Sequence, residues 1–177
     1  VITAHHKGHF EFRLCTNPSD LTQNCFDQNV LSRAASSPTA SPLDPQYPER
    51  WYLPPGAGTQ LMEFVMPADV SCDRCVLQWT YITANSCVPR GYKSFFTASD
   101  AAGLTTPNWH MGWMGSGDDG TCGGREDSQF VGGLPEKFWS CSDIKILPCE
   151  SGDCTAAPTS PSPPWLTMSP SPAWTEP

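Results

Sequence analysis

Positive charge is scarce in this sequence, and its scarcity excludes several classes of function. Ten Lys and Arg residues stand against 18 Asp and Glu residues, which gives a formal net charge of −8 at pH 7. Nucleic-acid-binding proteins normally carry a cluster of basic residues, and none is visible here. An anionic membrane surface is an unsuitable partner for the same reason. Uncharged partners such as polysaccharides are not excluded.

Long apolar segments and sustained helical stripes are missing as well. No segment is long and apolar enough to span a membrane. Charged residues make up only 16% of the chain, and 19 Pro and 14 Gly interrupt it at short intervals. This composition favours short strands joined by loops, so we predict an all-β domain over residues 1–150.

Hydrophobic alternation marks the strands of this domain. In residues 9–15, Phe10, Phe12 and Leu14 alternate with polar residues, which is the period of a half-buried strand. The other predictions are strands at residues 60–66, 75–82 and 142–147, and loops at residues 32–48 and 99–135.

The end of the chain, residues 151–177, differs in composition. Residues 155–177 hold seven Pro and eight Ser or Thr, with Glu176 as the only charge. Such a segment cannot bury enough apolar surface to offset the entropy lost on ordering. We predict a disordered linker that is suited to O-glycosylation.

Cysteine is abundant for a chain of 177 residues. This density predicts a secreted protein with several disulfides, because disulfides persist in oxidising compartments. An odd number leaves one cysteine without a partner in this chain. The nine cysteines are Cys15, Cys25, Cys72, Cys75, Cys87, Cys122, Cys141, Cys149 and Cys154.

The pair Cys72 and Cys75 allows several interpretations. On a regular strand, residues three apart lie ~10 Å apart, whereas disulfides need Cα atoms within ~7 Å. We therefore expect the two to bond different partners, one of them across to the strand near Cys141. A zinc site that also uses Cys87 and Cys122 is the less favoured alternative.

Only four histidines are present, namely His5, His6, His9 and His110. Imidazole is a common copper ligand, and a strong site needs two or three nitrogens. His5 and His6 would face opposite ways on a strand, so the two cannot hold one ion together. The alternative is that they are polar surface residues beside a turn at Gly8.

Five aromatic residues fall in predicted loops. Aromatic rings stack on the apolar faces of sugars, but they also cap the ends of hydrophobic cores, and both interpretations stay open here. The five candidates for substrate binding are Tyr47, Trp51, Tyr52, Trp109 and Trp113.

Four segments resemble lytic polysaccharide monooxygenases of auxiliary-activity family fifteen, a group formerly called chitin-binding type-4 domains. They are Thr3-Ala-His-His-Lys-Gly-His-Phe-Glu-Phe-Arg-Leu-Cys15, Arg50-Trp-Tyr-Leu-Pro54, Cys72-x-x-Cys-Val-Leu-Gln-Trp-Thr-Tyr81 and Phe138-Trp-Ser-Cys-Ser-Asp-Ile144. The segments occur in the family's order, and the resemblance covers roughly residues 1–149.

The resemblance implies an immunoglobulin-like or fibronectin-like antiparallel β-sandwich with long loops and several disulfides. It also implies a copper site in which an N-terminal histidine binds through its amine and its ring, and a second histidine adds a third nitrogen. The pattern Ala4-x-His6-x-Gly8 makes His6 that second ligand. Phe138 matches the axial aromatic position, and Gln78 is a candidate outer-sphere hydrogen-bond donor unless it is simply buried in the sheet.

Position 1 departs from the family pattern, because it is Val where the first histidine ligand is expected. We therefore expect a fragment whose first ligand lies upstream, with weak copper binding and no oxidase activity of its own. For the intact parent, the resemblance implies a secreted monomer that cleaves chitin or cellulose oxidatively with an external electron donor. The alternatives are a non-catalytic carbohydrate-binding domain and an extracellular protein-interaction domain.

Overall fold

A four-stranded antiparallel sheet with the order β2-β1-β3-β4 is the framework of the chain. The computed structural model describes residues 1–34, 41–56, 58–105, 122 and 134–148. Within these residues no helix is long and apolar enough to cross a membrane. The elements are β1 (His9–Cys15), α1 (Gln23–Asp27), β2 (Trp51–Tyr52), β3 (Cys72–Ile82), α2 (Tyr92–Ala101) and β4 (Lys137–Ile146).

The two faces of the sheet differ sharply in polarity because side chains alternate along each strand. On one face, which we call the apolar face, Phe10 of β1 opposes Tyr81 of β3, and Phe12 opposes Trp79. The other face, which we call the polar face, carries the side chains of His9, Glu11, Arg13, Gln78, Thr80, Lys137, Trp139 and Cys141.

The core on the apolar face is built around Phe10. Its ring stacks on Trp51 with a centroid distance of 5.9 Å and meets Tyr81 edge-on at 4.9 Å. Trp51 and Tyr52 are both 0% exposed, so neither ring can reach a polysaccharide. Their predicted role in substrate binding is therefore wrong, because the two residues form β2 inside the core rather than an exposed loop.

The predicted strands agree with the structure in three of four cases. Residues 9–15 are confirmed as β1, while the segments 75–82 and 142–147 fall mainly within longer strands, β3 and β4. The segment 60–66 is not a strand. Its Phe64 makes one isolated bridge to Arg33 and packs with the core, without a hydrogen-bonded ladder along the segment.

Helix α2 was not expected from the sequence. Its buried residues Tyr92, Phe95, Phe96 and Ser99 follow the 3.6-residue period of an amphipathic helix. The rings of this stripe pack on Tyr52, with Phe95 stacked at 4.3 Å. The helix therefore covers the β2 end of the polar face.

Among the described residues, three disulfides join Cys15 to Cys25, Cys72 to Cys75, and Cys87 to Cys122. The expectation of different partners for Cys72 and Cys75 is wrong, and so is the zinc alternative. The ladder between β3 and β4 is irregular between these two residues, and this bulge brings their Cα atoms to 5.9 Å. Cys141 is free and exposed, whereas Cys149, Cys154 and the predicted linker lie outside the described residues.

A buried chain of polar groups crosses the polar face. Nδ1 of His9 bonds the hydroxyl of Tyr92, its Nε2 lies 2.9 Å from Glu11, and the other oxygen of Glu11 lies 2.6 Å from Arg13. Burial lowers the pKa of His9 and outweighs the opposing effect of Glu11, so the ring is neutral. Burial acts to raise the pKa of Glu11, but the hydrogen bond with His9 and the neighbouring positive charges lower it to about 2.

This chain makes the stability of the fold sensitive to acid. The unfolded chain binds protons at both sites more readily than the folded one, so the free energy of unfolding falls as the pH drops through 6.5 and again between 4.5 and 2. Because Glu11→Gln removes the titrating carboxyl, we expect the fall in the free energy of unfolding between pH 4.5 and 2 to be smaller by about 3 kcal/mol in this variant. Urea unfolding over this pH range checks the result, with the exposed Glu63→Gln as control. Equal pH dependence in the two variants would contradict it.

Candidate functional site

The loop before β1 holds His6 by its backbone at the end of the sheet. The amide of His6 donates to the hydroxyl of Tyr81 at 2.9 Å, and its carbonyl accepts from Ala84 at 3.1 Å. Burial raises the pKa of Tyr81 to about 12, so the phenol stays neutral. Gly8, with φ of 90°, turns the chain from this loop into β1.

Within the described residues, one nitrogen of the His6 ring is hydrogen-bonded and the other has no hydrogen-bond partner. Nδ1 lies 3.1 Å from Oε2 of Glu136 and 3.1 Å from the amide nitrogen of Asn85. No hydrogen bond among the described residues engages Nε2, and the side chain is 33% exposed. A neutral imidazole that donates from Nδ1 to a carboxylate leaves the Nε2 lone pair for a metal.

The contacts of Glu136 and Asn85 require opposite tautomers of His6. The carboxylate can only accept, so it favours the ring with a proton on Nδ1. The amide NH₂ of Asn85 can only donate, so it favours the ring with its proton on Nε2. The charged carboxylate makes the stronger hydrogen bond of the two, which favours the tautomer that is able to bind a metal.

The other two described histidines have both ring nitrogens occupied. Nε2 of His5 donates to the carbonyl of Pro54 at 2.8 Å, while its Nδ1 accepts from the amide of Lys7 at 3.1 Å. His9 is 1% exposed and is held between Tyr92 and Glu11. Of these three rings, only that of His6 can accept a metal without losing a hydrogen bond.

Phe138 lies beside His6 at the start of β4. The two rings meet edge-on, with centroids 6.0 Å apart and an interplanar angle of 89°. Phe138 also lies 5.9 Å from the ring of Tyr81 and is 40% exposed. The imidazole therefore has an apolar ring on one side and a carboxylate on the other.

The donor set of this site is small. In the part of the chain that the structure describes, no group of three or more His, Cys, Asp or Glu residues is arranged to hold a metal ion. A single neutral imidazole with a free nitrogen suits copper or zinc as one ligand of a larger set.

Comparison with known proteins gives this arrangement a context. The sequence model of the family described as "Lytic polysaccharide mono-oxygenase, cellulose-degrading" matches residues 1–144. The chain belongs to this lytic polysaccharide monooxygenase family. No curated protein sequence matches it significantly.

A solved structure supports the same family. It is the lytic polysaccharide monooxygenase AA15 from Thermobia domestica in the Cu(I) state, which is 28% identical with a TM-score of 0.50. The match covers 82% of this chain and 54% of the other, so the chain spans about half the length of that monooxygenase. The likeness and the antiparallel sheet confirm the predicted all-β sandwich class and the resemblance to lytic polysaccharide monooxygenases.

Gln78 does not lie near His6 in this monooxygenase family member. It is buried on the polar face and makes long contacts of 3.4 and 3.5 Å with Gln23. His6 lies beside Ala84, just after the end of β3. Gln78 precedes the last residue of that strand, Ile82, by four positions, which is ~13 Å along the strand. The structure thus agrees with the alternative that Gln78 is buried in the sheet, and it gives no support for an outer-sphere role.

The remaining aromatic candidates have mixed outcomes. Tyr47 is half-buried, and the guanidinium of Arg50 covers one face of its ring at 3.6 Å. A sugar contact for Tyr47 therefore stays a prediction that could use only the other face. Trp109 and Trp113, like His110, lie outside the described residues.

Sequence reasoning missed Glu136, Asn85 and Tyr81 as neighbours of His6. Glu136 is 130 residues away along the chain and precedes β4 by one residue. Its position two residues before Phe138 was the available signal, because alternate residues at the end of a strand project to the same side.

Proposed function

We propose that the chain provides part of the catalytic domain of a copper-dependent monooxygenase that cleaves chitin or cellulose oxidatively. In this proposal Nε2 of His6 is one of the copper ligands. When bound, copper would supply the redox chemistry by which dioxygen or hydrogen peroxide oxidises a sugar C–H bond next to the glycosidic link, with electrons from an external donor. The family match and the Cu(I) state of the solved relative support the choice of metal. Secretion and a monomeric state belong to the same proposal.

The free Nε2 of His6 is the observation that carries this proposal. Three histidines lie in or beside the first strand, but both ring nitrogens of His5 and of His9 are hydrogen-bonded within the protein. Glu136 holds His6 through Nδ1, which orients the ring and directs its Nε2 away from this contact. The backbone bonds to Tyr81 and Ala84 fix the loop that carries the ring.

Phe138 shapes the surroundings of the proposed ligand without adding a donor atom. A phenyl ring excludes water from one side of the imidazole and supplies no oxygen to a metal. In this role Phe138 would stand beside a metal held by His6 without coordinating it, as the resemblance implies.

We expect the chain by itself to bind copper weakly. One imidazole is far short of the three nitrogens that a strong site needs, and the described residues place no group of three or more His, Cys, Asp or Glu side chains where it could hold a metal ion. Isothermal titration of the metal-free chain with Cu(II) should show affinity much weaker than nanomolar. Nanomolar affinity at a single site would contradict the proposed ligand set.

We expect Glu136 to set the tautomer of His6. In Glu136→Ala the remaining contact is Asn85, which donates to Nδ1 and moves the ring proton to Nε2. In Asn85→Ala, the matched control, Glu136 keeps the proton on Nδ1. Imidazole ¹⁵N NMR of the metal-free chain distinguishes the two states. The same tautomer in both variants would show that Glu136 has no such role.

A non-catalytic carbohydrate-binding function is the second candidate, and the sparse ligand set of the described residues favours it. The two functions differ in what they require. Binding alone needs only retention on insoluble chitin or cellulose. Oxidation also requires that His6 binds the metal. A chain that is retained on the glycan, and whose His6 does not coordinate added copper, would therefore be a binding module. Failure to bind either glycan would favour a protein-interaction domain instead.

A further inference from the structure

An open pocket of about 380 Å³ lies on the polar face, between α1 and β4. Its floor includes Gln78 and Thr80 of β3, while Gln23 of α1 and Trp139 of β4 stand at its sides. The volume falls within the range of roughly 300–1,000 Å³ that is typical of small-molecule sites. The pocket opens on the opposite side of the sheet from Tyr81 and Phe138, the two rings next to His6.

Trp139 is the most unusual member of this pocket. Its side chain is 69% exposed, although tryptophan is the residue with the most apolar surface to bury. Its neighbour across the ladder is Thr80, so the indole borders a surface of hydrogen-bonding groups. An exposed ring beside polar groups is the pairing that recognises sugars, which present apolar C–H faces and hydroxyl rims.

The charges around the pocket balance, and this balance defines the ligand. Arg13 lies 2.6 Å from Glu11 and 3.3 Å from Asp27, and Lys137 adds a second cation. Two cations and two anions favour neither an anionic nor a cationic ligand. A neutral ligand with many hydroxyl groups would meet no net repulsion.

The side-chain amide of Gln78 is weakly used within the protein. Its two contacts with the amide of Gln23 are 3.4 and 3.5 Å long, which is the outer limit of a hydrogen bond, whereas Gln23 also donates to Asp27 at 2.8 Å. Nε of Arg13 is ion-paired with Asp27 at 3.3 Å, so it is not a vacant donor. Buried polar groups in native proteins normally have well-formed hydrogen bonds, so the long contacts of Gln78 indicate a further partner such as water or a ligand.

We propose that this pocket binds one neutral pyranose unit of a polysaccharide. The indole of Trp139 stacks on the sugar face, and the side-chain amides of Gln78 and Gln23 bond the hydroxyl groups. The site needs no metal, so it stands or falls independently of the proposed copper chemistry.

NMR of the metal-free chain with chitohexaose or cellohexaose tests the site directly. The indole N–H of Trp139 and the side-chain amides of Gln23 and Gln78 should shift with saturable dependence on one of the two sugars. Trp139→Ala should weaken binding about tenfold or more. Gln23→Ala, a change at the helix surface that does not touch the core, should weaken it less. Leu147→Ala is the control, because Leu147 is 70% exposed just after β4 and does not line the pocket.

Cys141 provides a second readout. It lies two residues after Trp139 on the same face, opposite Gln78, and its thiol is free and exposed. Bound sugar should slow alkylation of Cys141 by iodoacetamide in the parent chain but not in Trp139→Ala. Absent shifts at all three side chains with both sugars, or equal affinity in Trp139→Ala and the parent chain, would overturn the proposal.

Discussion

Replacing Gly8 with alanine should destabilise the chain by about 3 kcal/mol or more. Gly8 has φ of +90°, and a Cβ atom there would lie 2.0 Å from the carbonyl oxygen of Ile82 and 2.8 Å from Cα of Thr83. Both contacts are with the backbone of β3 and its continuation, which cannot move without breaking the ladder. The steric overlap therefore adds to the strain of a positive φ.

Gly56→Ala is the matched control for this prediction. Gly56 also has a positive φ, of +102°, but a Cβ atom there meets nothing within 4 Å. Its cost should be limited to the backbone term of about 1 kcal/mol. Urea unfolding of the two variants separates overlap from strain. Equal destabilisation would show that Gly8 does not approach β3 as closely as the structure indicates.

The Gly8→Ala substitution should also displace the loop that carries His6. Gly8 follows His6 by two residues, and its carbonyl accepts from Leu53 at 3.0 Å. Relief of the overlap would push the loop away from β3 and lengthen the bond between His6 and Tyr81. The glycine thus links the stability of the sheet to the position of the proposed ligand.

The sequence predicts the parts of the fold that have a strong local signal. Phe10, Phe12 and Leu14 alternate over a full strand, and β1 follows that pattern to the residue. Trp51 and Tyr52 form a strand of only two residues, which is too short for a period to appear. Their burial depends on neighbours such as Phe10, and no local pattern could reveal it.

Cys72 and Cys75 show the limit of ideal geometry. The expected ~10 Å separation assumes a regular strand. The bulge between the two residues shortens it to 5.9 Å, and a bulge has no dependable signal in one sequence. The geometric rule was sound, but the strand at that point is not regular.

The proposed site was predicted only in part. The prediction that His6 is the copper ligand rested on the family resemblance of the segment around Ala4 and Gly8. The alternation of side chains along a strand gave no reason to prefer His6 over His5 as the ligand. The contacts that distinguish the two rings come from Glu136, Asn85 and Pro54, which lie 49 to 130 residues away. Such long-range partners are fixed by strand pairing and cannot be read from local pattern.

His6→Ala should abolish the binding of a copper complex that His5→Ala leaves intact. Histamine supplies one amine and one imidazole nitrogen to Cu(II), which leaves room for a third nitrogen from the protein. Nε2 of His6 is free to occupy that position, whereas both nitrogens of His5 are bonded to Pro54 and Lys7. His5→Ala removes the same side chain from the adjacent residue and also two hydrogen bonds within the protein, so it is a demanding control for nonspecific effects.

Electron paramagnetic resonance of Cu(II)–histamine with the three chains tests the role of His6 most directly. We expect coupling to a third nitrogen with the parent chain and with His5→Ala, and the spectrum of Cu(II)–histamine alone with His6→Ala. A third-nitrogen signal that survives in His6→Ala, or that disappears in His5→Ala, would contradict the assignment of His6 as the copper ligand.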